Sequence, residues 1–282
     1  MSLELCVEQN RADGVDTEMP FAKLNGVTLY HRAAGRPGGR PLVLVNSLGT
    51  DARIWDGVIE RLAQRYHVVS YDKRGHGLSE APPGPYTLDD HVADLAALAD
   101  HLELEKFALA GVSVGGLIAQ GFAIAHPERL AALVLCDTAA KVGTAELWNA
   151  RIEAVTGRGI ASISEAILER WFTRAFREQR PVELAGWRNM LERSPVGGYA
   201  GTCAALRDAD LRAQVGQIRL KTLAVVGEED GSTPPELVRE TVGMLPNARL
   251  EIIEGAGHLP MIEQPERLAE LMTDYFTEVG YV

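Results

Sequence analysis

The chain has no run of about 18 consecutive apolar residues, the length that a membrane-spanning helix requires, so none is expected. Its N-terminus lacks a basic stretch followed by an apolar one, so a secretory leader is not expected either. Cysteine is scarce. Cys6, Cys136 and Cys203 are odd in number, far apart and without metal-ligand spacing, which argues against a disulfide framework or zinc site and fits a reduced, cytoplasmic setting. Basic residues are in deficit: Lys and Arg total 28 against 39 Asp and Glu, a formal charge of −11, with no basic cluster. Nucleic acid and anionic membranes are therefore disfavoured as partners. The same deficit means that an anionic ligand gains nothing from the overall field and needs a local arginine. Internal repeats and low-complexity segments are also missing.

What is present suits one or two globular domains with a substantial core: 282 residues, 46% hydrophobic and 24% charged. Residues 1–20 are polar and acidic, with Glu4, Glu8, Asp13, Asp16 and Glu18 against Arg11, and read as a flexible leader. Asn25-Gly26, flanked by Ala22–Leu24 and Val27–His31, is a two-residue hairpin signal. Short apolar runs follow at Leu42–Val45, His67–Tyr71, Phe107–Ala110 and Ala132–Cys136, alternating with helical patterns such as Leu88 to Leu102. This alternation predicts an α/β fold with a mostly parallel sheet and helices on both faces. From about Ala139 to Asp210 the strand-like runs stop, and helical segments with Trp148, Trp171 and Trp187 take over. Strand signals resume at Thr222–Val226 and Arg249–Ile253. The expected organisation is an α/β core over residues 21–138 and 211–282, interrupted by a helical cap over residues 139–210.

The richest local signal is Gly111-Val112-Ser113-Val114-Gly115-Gly116, between the strand pattern Phe107–Ala110 and a helical pattern from Leu117 to Ala125. A serine on a strand–turn–helix corner projects its hydroxyl from the sheet edge, and the helix behind it offers unpaired N–H groups to a developing oxyanion. Such a serine needs a base, and the base an orienting carboxylate. Of seven histidines, His31 and His67 lie in strand patterns, His91 and His101 on a helix, and His126 before Pro127 at a helix end; His76, in the turn Asp72-Lys73-Arg74-Gly75-His76-Gly77, reads as structural. His258 differs: it sits in Gly255-Ala256-Gly257-His258 after a strand, where a reachable imidazole belongs. Among the acids of Gly227-Glu228-Glu229-Asp230-Gly231-Ser232-Thr233-Pro234, Asp230 has the short side chain and turn position suited to holding His258, while Glu228 and Glu229 read as solvent-facing. The order Ser113, Asp230, His258 is that of the α/β-hydrolase triad. For the oxyanion hole, the backbone N–H groups of Val114 and of Leu48, in the loop Asn46-Ser47-Leu48-Gly49-Thr50-Asp51, are the candidates, with Ser47 assisting. The same loop also reads as an ordinary strand-to-helix turn with Asp51 as N-cap; both readings are compatible.

These residues resemble the α/β-hydrolase superfamily over about residues 20 to 280. Within it the chain looks most like the 3-oxoadipate enol-lactonases of bacterial aromatic degradation. Val45-Asn46-Ser47-Leu48-Gly49-Thr50-Asp51 with Trp55-Asp56 resembles their oxyanion segment, where most superfamily relatives carry His-Gly in place of Asn46-Ser47. Asp137-Thr138-Ala139-Ala140-Lys141 and Leu147-Trp148-Asn149-Ala150-Arg151 extend the match. The resemblance implies hydrolysis of a small anionic enol-lactone in the β-ketoadipate pathway, with no metal or organic cofactor. The decarboxylase fused to some members is not expected, since the chain stops shortly after Phe276. Trp148 and Arg151, three apart, share a helical face. They are candidates for an apolar wall and a carboxylate contact; the alternative is a core anchor and a solvated surface residue. Arg53 is a second, weaker cation candidate. The rivals are a general carboxylesterase, a carbon–carbon bond hydrolase of ring-cleavage pathways, and a ligand-binding protein on a catalytically dead fold. Oligomeric state is not readable from the sequence.

Overall fold

Asn25 and Gly26 both take positive φ, 48° and 77°, the mirror-image turn that joins strands without splaying them. They connect β1 (Phe21–Leu24) to β2 (Val27–Gly35) as an antiparallel hairpin at one edge of the sheet. The computed structural model describes residues 20–36 and 38–282. The acidic leader expected over residues 1–20 lies, but for Pro20, outside the described residues. The remaining strands are β3 (Arg40–Val45), β4 (Tyr66–Asp72), β5 (Phe107–Val112), β6 (Leu130–Cys136), β7 (Thr222–Gly227) and β8 (Ala248–Ile253). They form one eight-stranded sheet in the order β1-β2-β4-β3-β5-β6-β7-β8, and every pairing from β4 to β8 is parallel. The central strands β5 and β6 are apolar along their whole length because helices cover both faces. Each residue of β5 and β7 is buried.

Helices α1 (Asp56–Leu62), α2 (Leu88–His101) and α3 (Val114–Ala125) connect the first strands. Helix α2 begins at a reciprocal capping box between Thr87 and Asp90, which satisfies two orphan N–H groups. Between β6 and β7 the chain forms α4 (Ala145–Arg158), α5 (Ser164–Trp171), α6 (Arg174–Gln179), α7 (Pro181–Glu192) and α8 (Val196–Asp208), with no strand among them. The last helices are α9 (Pro235–Met244), α10 (Pro260–Glu263) and α11 (Pro265–Glu278). No described helix is long and apolar enough to cross a membrane. A single buried cluster runs from the sheet into the helical segment, joining Leu44 and Leu109 to Ile167, Trp171 and Leu191. The segment therefore shares the core of the sheet instead of building its own.

Candidate active site

β5 ends at Val112 and α3 begins at Val114, so Ser113 alone turns the corner. Its φ of 58° and ψ of −120° fall where residues with side chains rarely sit. Main-chain bonds hold it there. Ser113 N donates to Cys136 O at 3.0 Å, while its carbonyl accepts from Leu117 N at 3.0 Å and Thr138 Oγ1 at 2.6 Å. The flanking glycines are required by contact. A Cβ on Gly111 would stand 2.2 Å from Gly115 O, and one on Gly115 would stand 2.4 Å from Val45 O. That second approach sets the first turn of α3 against the end of β3, beside the loop of residues 46–51. Val114, as the first residue of α3, has an N–H without an acceptor in the helix. The Leu48 N–H makes no hydrogen bond among the described residues. Asp51 caps the following turn by accepting from Arg53 N, as the sequence suggests.

His258 and Asp230 meet from separate loops, after β8 and β7. His258 Nδ1 lies 2.9 Å from Asp230 Oδ2, and both residues are buried. Asp230 Oδ1 accepts from Ser232 N at 2.7 Å and Thr233 N at 3.0 Å, and Oδ2 accepts from Thr233 Oγ1 at 2.7 Å. Burial alone would raise the Asp230 carboxyl, but the facing imidazole and the Thr233 donors outweigh it and hold it below its ordinary value. With Nδ1 engaged, Nε2 is the ring nitrogen left for substrate. Glu228 and Glu229 are exposed, as expected. A neighbour missed by the sequence reading is Asp137, at the end of β6. It is buried, takes a φ of 47°, and accepts from Gly227 N at 2.8 Å. Burial first, and then the charge of Asp230, push its carboxyl well above the usual range.

Ser113 and His258 open onto a cavity of about 180 Å³. Ser47 and Leu48 complete its floor, and Trp148, Arg151, Ile167, Arg170, Trp171 and Tyr199 form its roof. The structure thus brings Ser47, Leu48, Ser113, Trp148, Arg151 and His258 together, with Asp230 behind the imidazole and Val114 one residue beyond the serine. Trp148 lines the cavity with its ring and is anchored by its Nε1, which donates to Val142 O at 2.7 Å. Arg151 stacks 5.2 Å over the Trp148 ring, and its charge acts on the neighbouring Tyr199 hydroxyl against the upward push of burial. Arg170, unflagged by any motif, shares the cavity; burial and then the charge of Arg151 lower its guanidinium. Among the described residues neither arginine is in an ion pair, and no Asp or Glu lines the cavity. Arg53 is a correction. It lines a different hollow, of about 500 Å³, with Arg32 and Arg193. Its guanidinium is taken by Asp51 at 2.9 and 2.6 Å, two residues away in the same turn.

Roof and floor are joined through main chain. His258 N donates to Trp171 O at 2.9 Å, and Gly231 N to Arg170 O at 3.3 Å, so the last residues of α5 touch both acid–base loops. Glu263 adds a clasp: it accepts from Thr173 N at 3.1 Å, from Thr173 Oγ1 at 2.8 Å, and from Gly257 N at 2.6 Å.

Comparison with known proteins agrees with this geometry. Residues 42–271 match the model of the alpha/beta hydrolase family. The chain is 35% identical to 3-oxoadipate enol-lactonase 2 of Acinetobacter baylyi, over 85% of this chain and 90% of the relative. The crystal structure of the enol-lactonase from Burkholderia xenovorans LB400 superposes with a TM-score of 0.89 at 35% identity, covering 92% of this chain and all of that one (100%). A thermophilic esterase from Thermogutta terrifontis, solved with malate bound, follows at 0.85 and 31% identity, over 90% of this chain and 94% of its own. On the sheet order, the serine corner and these matches, the chain belongs to the α/β hydrolase family and, within it, resembles the 3-oxoadipate enol-lactonases.

Proposed function

We propose that the protein is a serine hydrolase that opens 3-oxoadipate enol-lactone, a small cyclic enol ester with a free carboxylate, to 3-oxoadipate. The observation that carries this reading is the pair Arg151 and Arg170: two guanidiniums that have no carboxylate partner among the described residues, beside Ser113, in a chain of net charge −11. Both side chains are half-buried, and holding two like charges together away from full hydration is costly unless an anion joins them. Charge-assisted hydrogen bonds from such a pair are worth about 1.5–3 kcal/mol each. The enol-lactonase relatives and the esterase solved with a small dicarboxylate support the same chemistry.

Ser113 Oγ attacks the lactone carbonyl carbon as its proton passes to His258 Nε2. Asp230 orients the ring and stabilises the imidazolium. The N–H groups of Leu48 and Val114 hold the oxyanion, and losing one such donor costs about 3 kcal/mol of barrier. The acyl–oxygen bond breaks, the enol oxygen takes the proton from His258, and tautomerisation to the ketone draws the step forward. Water, deprotonated by His258, then releases the second carboxylate from Ser113. The test is kcat/KM on 3-oxoadipate enol-lactone beside a neutral aryl acetate, for the wild type and Ser113→Ala. A large lactone preference that vanishes with Ser113 supports the reading. Equal or better turnover of the neutral ester makes the protein a general carboxylesterase instead.

A further inference from the structure

The carbonyl of Ser47 and the N–H of Leu48 belong to one peptide unit, and in a planar trans peptide they point in opposite directions. Three side-chain donors converge on that carbonyl: Lys73 Nζ, Thr50 Oγ1 at 3.0 Å, and Asn46 Nδ2 at 3.5 Å. All four residues are buried, and Lys73 is wholly inaccessible (0%). Lysine is seldom enclosed without a carboxylate, because its head group loses its hydration. Among the described residues no carboxylate pairs with it, and the donation to Ser47 O is the one hydrogen bond of its side chain. The turn that carries it is pinned on either side: Asp72 accepts from Ala52 N at 2.7 Å and Leu78 N at 2.8 Å, and Arg74 is locked to Asp94 at 2.6 Å. A rigid turn thus delivers a long donor to the back of the loop whose front faces Ser113.

We infer that Lys73 is a positioning residue of the oxyanion hole, fixing and polarising the Ser47–Leu48 peptide so that the Leu48 N–H is held toward the cavity. The inference rests on the reading of Leu48 as an oxyanion donor. Hydrogen bonding to a carbonyl draws density from the amide nitrogen and strengthens its N–H as a donor. A carbonyl held by several donors also cannot rotate, so the N–H is in place before the oxyanion forms and no reorganisation is needed during reaction. Burial and the nearby Asp72 and Asp51 act in opposite directions on the lysine head group, with burial the larger effect. Charged or neutral, Nζ still donates.

The experiment uses the full chain with Lys73→Met, which keeps length and loses the donor, and Lys73→Gln, which restores an N–H donor. Four quantities are read: kcat and KM on the lactone and on a neutral aryl acetate, the rate of Ser113 labelling by a fluorophosphonate, the Ki of an aryl trifluoromethyl ketone whose adduct carries an oxyanion, and the Ki of malate as a plain carboxylate. Lys73→Met is expected to lower kcat on both esters about 10–100-fold, slow labelling, and weaken the ketone by a similar factor, with malate unchanged; Lys73→Gln recovers part of each. Wild-type kcat in folded Lys73→Met overturns the inference. So does an equal loss of ketone and malate binding, since that marks general disruption. If Lys73→Met does not fold, Lys73→Leu, which also lacks the donor, takes its place, with unchanged kcat and ketone Ki overturning the inference. A protein that turns over the aryl acetate but not the lactone loses its substrate assignment and leaves the Lys73 test intact.

Discussion

Floor and roof of the 180 Å³ cavity are made differently. The floor is main chain under constraint: a serine at positive φ, glycines that admit no Cβ, two strand-end loops and the head of α3. The roof is side chain presented from helices: Trp148 and Arg151 from α4, Arg170 from α5, Tyr199 from α8. Bond making needs positions fixed to a fraction of an ångström, and backbone geometry supplies them. Selection among substrates needs a chemical complement, and helical side chains can supply it without altering the backbone beneath. The expected division is that floor changes act on kcat for every ester, whereas roof changes act on KM for anionic ones.

The sharpest way to break this division is at the serine. Ser113→Ala is expected to lower kcat/KM by about 10⁴-fold or more on lactone and neutral ester alike. Retention on either substrate in a steady-state assay ends the common-floor view. Next comes Gly115→Ala, whose new Cβ meets Val45 O at 2.4 Å. It is expected to lower kcat on both esters by about 10-fold or more and to cost about 1–3 kcal/mol in urea unfolding. A KM effect confined to the lactone contradicts the division.

Arg151→Ala and Arg170→Ala probe the roof. Each is expected to raise KM for the lactone about 10-fold or more while leaving the aryl acetate within about two-fold. The double variant is expected to fall short of the product of the two, because each removal also relieves the repulsion from the other. Equal effects on both esters would take the arginines out of substrate binding.

The smallest effect is on stability. The Asp137 carboxyl is raised well above its ordinary value in the folded protein, by burial and then by the charge of Asp230, so the native state binds more protons than the unfolded chain between the ordinary value and the raised one. Stability therefore falls as pH rises through this window. Asp137→Asn removes the fall, and its Tm is expected to exceed that of the wild type by a few degrees at pH 7–8, with the advantage gone below about pH 4. A constant Tm difference from pH 4 to 8 would show that the Asp137 carboxyl is not raised beside Asp230.

Features carried by neighbours in the chain were legible in the sequence. The Asn25-Gly26 hairpin, the Ser113 corner and the strand-end positions of Asp230 and His258 all follow from a few adjacent residues, and so does the loss of strands after β6. Arg170, Asp137 and Lys73 were not legible, because their surroundings are assembled from distant segments. Arg170 faces Arg151 from a different helix, Asp137 meets Asp230 across 93 positions of chain (230 − 137), and Lys73 reaches a carbonyl on a loop 26 positions earlier. Arg53 misled for the opposite reason. It sits near the oxyanion loop in sequence, but Asp51, two residues back, captures its guanidinium.

The seam between α5 and the acid–base loops is drawn through the carbonyls of Arg170 and Trp171, not through their side chains. Any amino acid can supply a carbonyl. Position 170 can therefore be rewritten by mutation while the joint to His258 and Asp230 stays closed. If Arg170 selects the substrate as proposed, that selection is separable from the joint, and a new preference is open to a single substitution that leaves the hydrogen bonds of His258 and Gly231 in place.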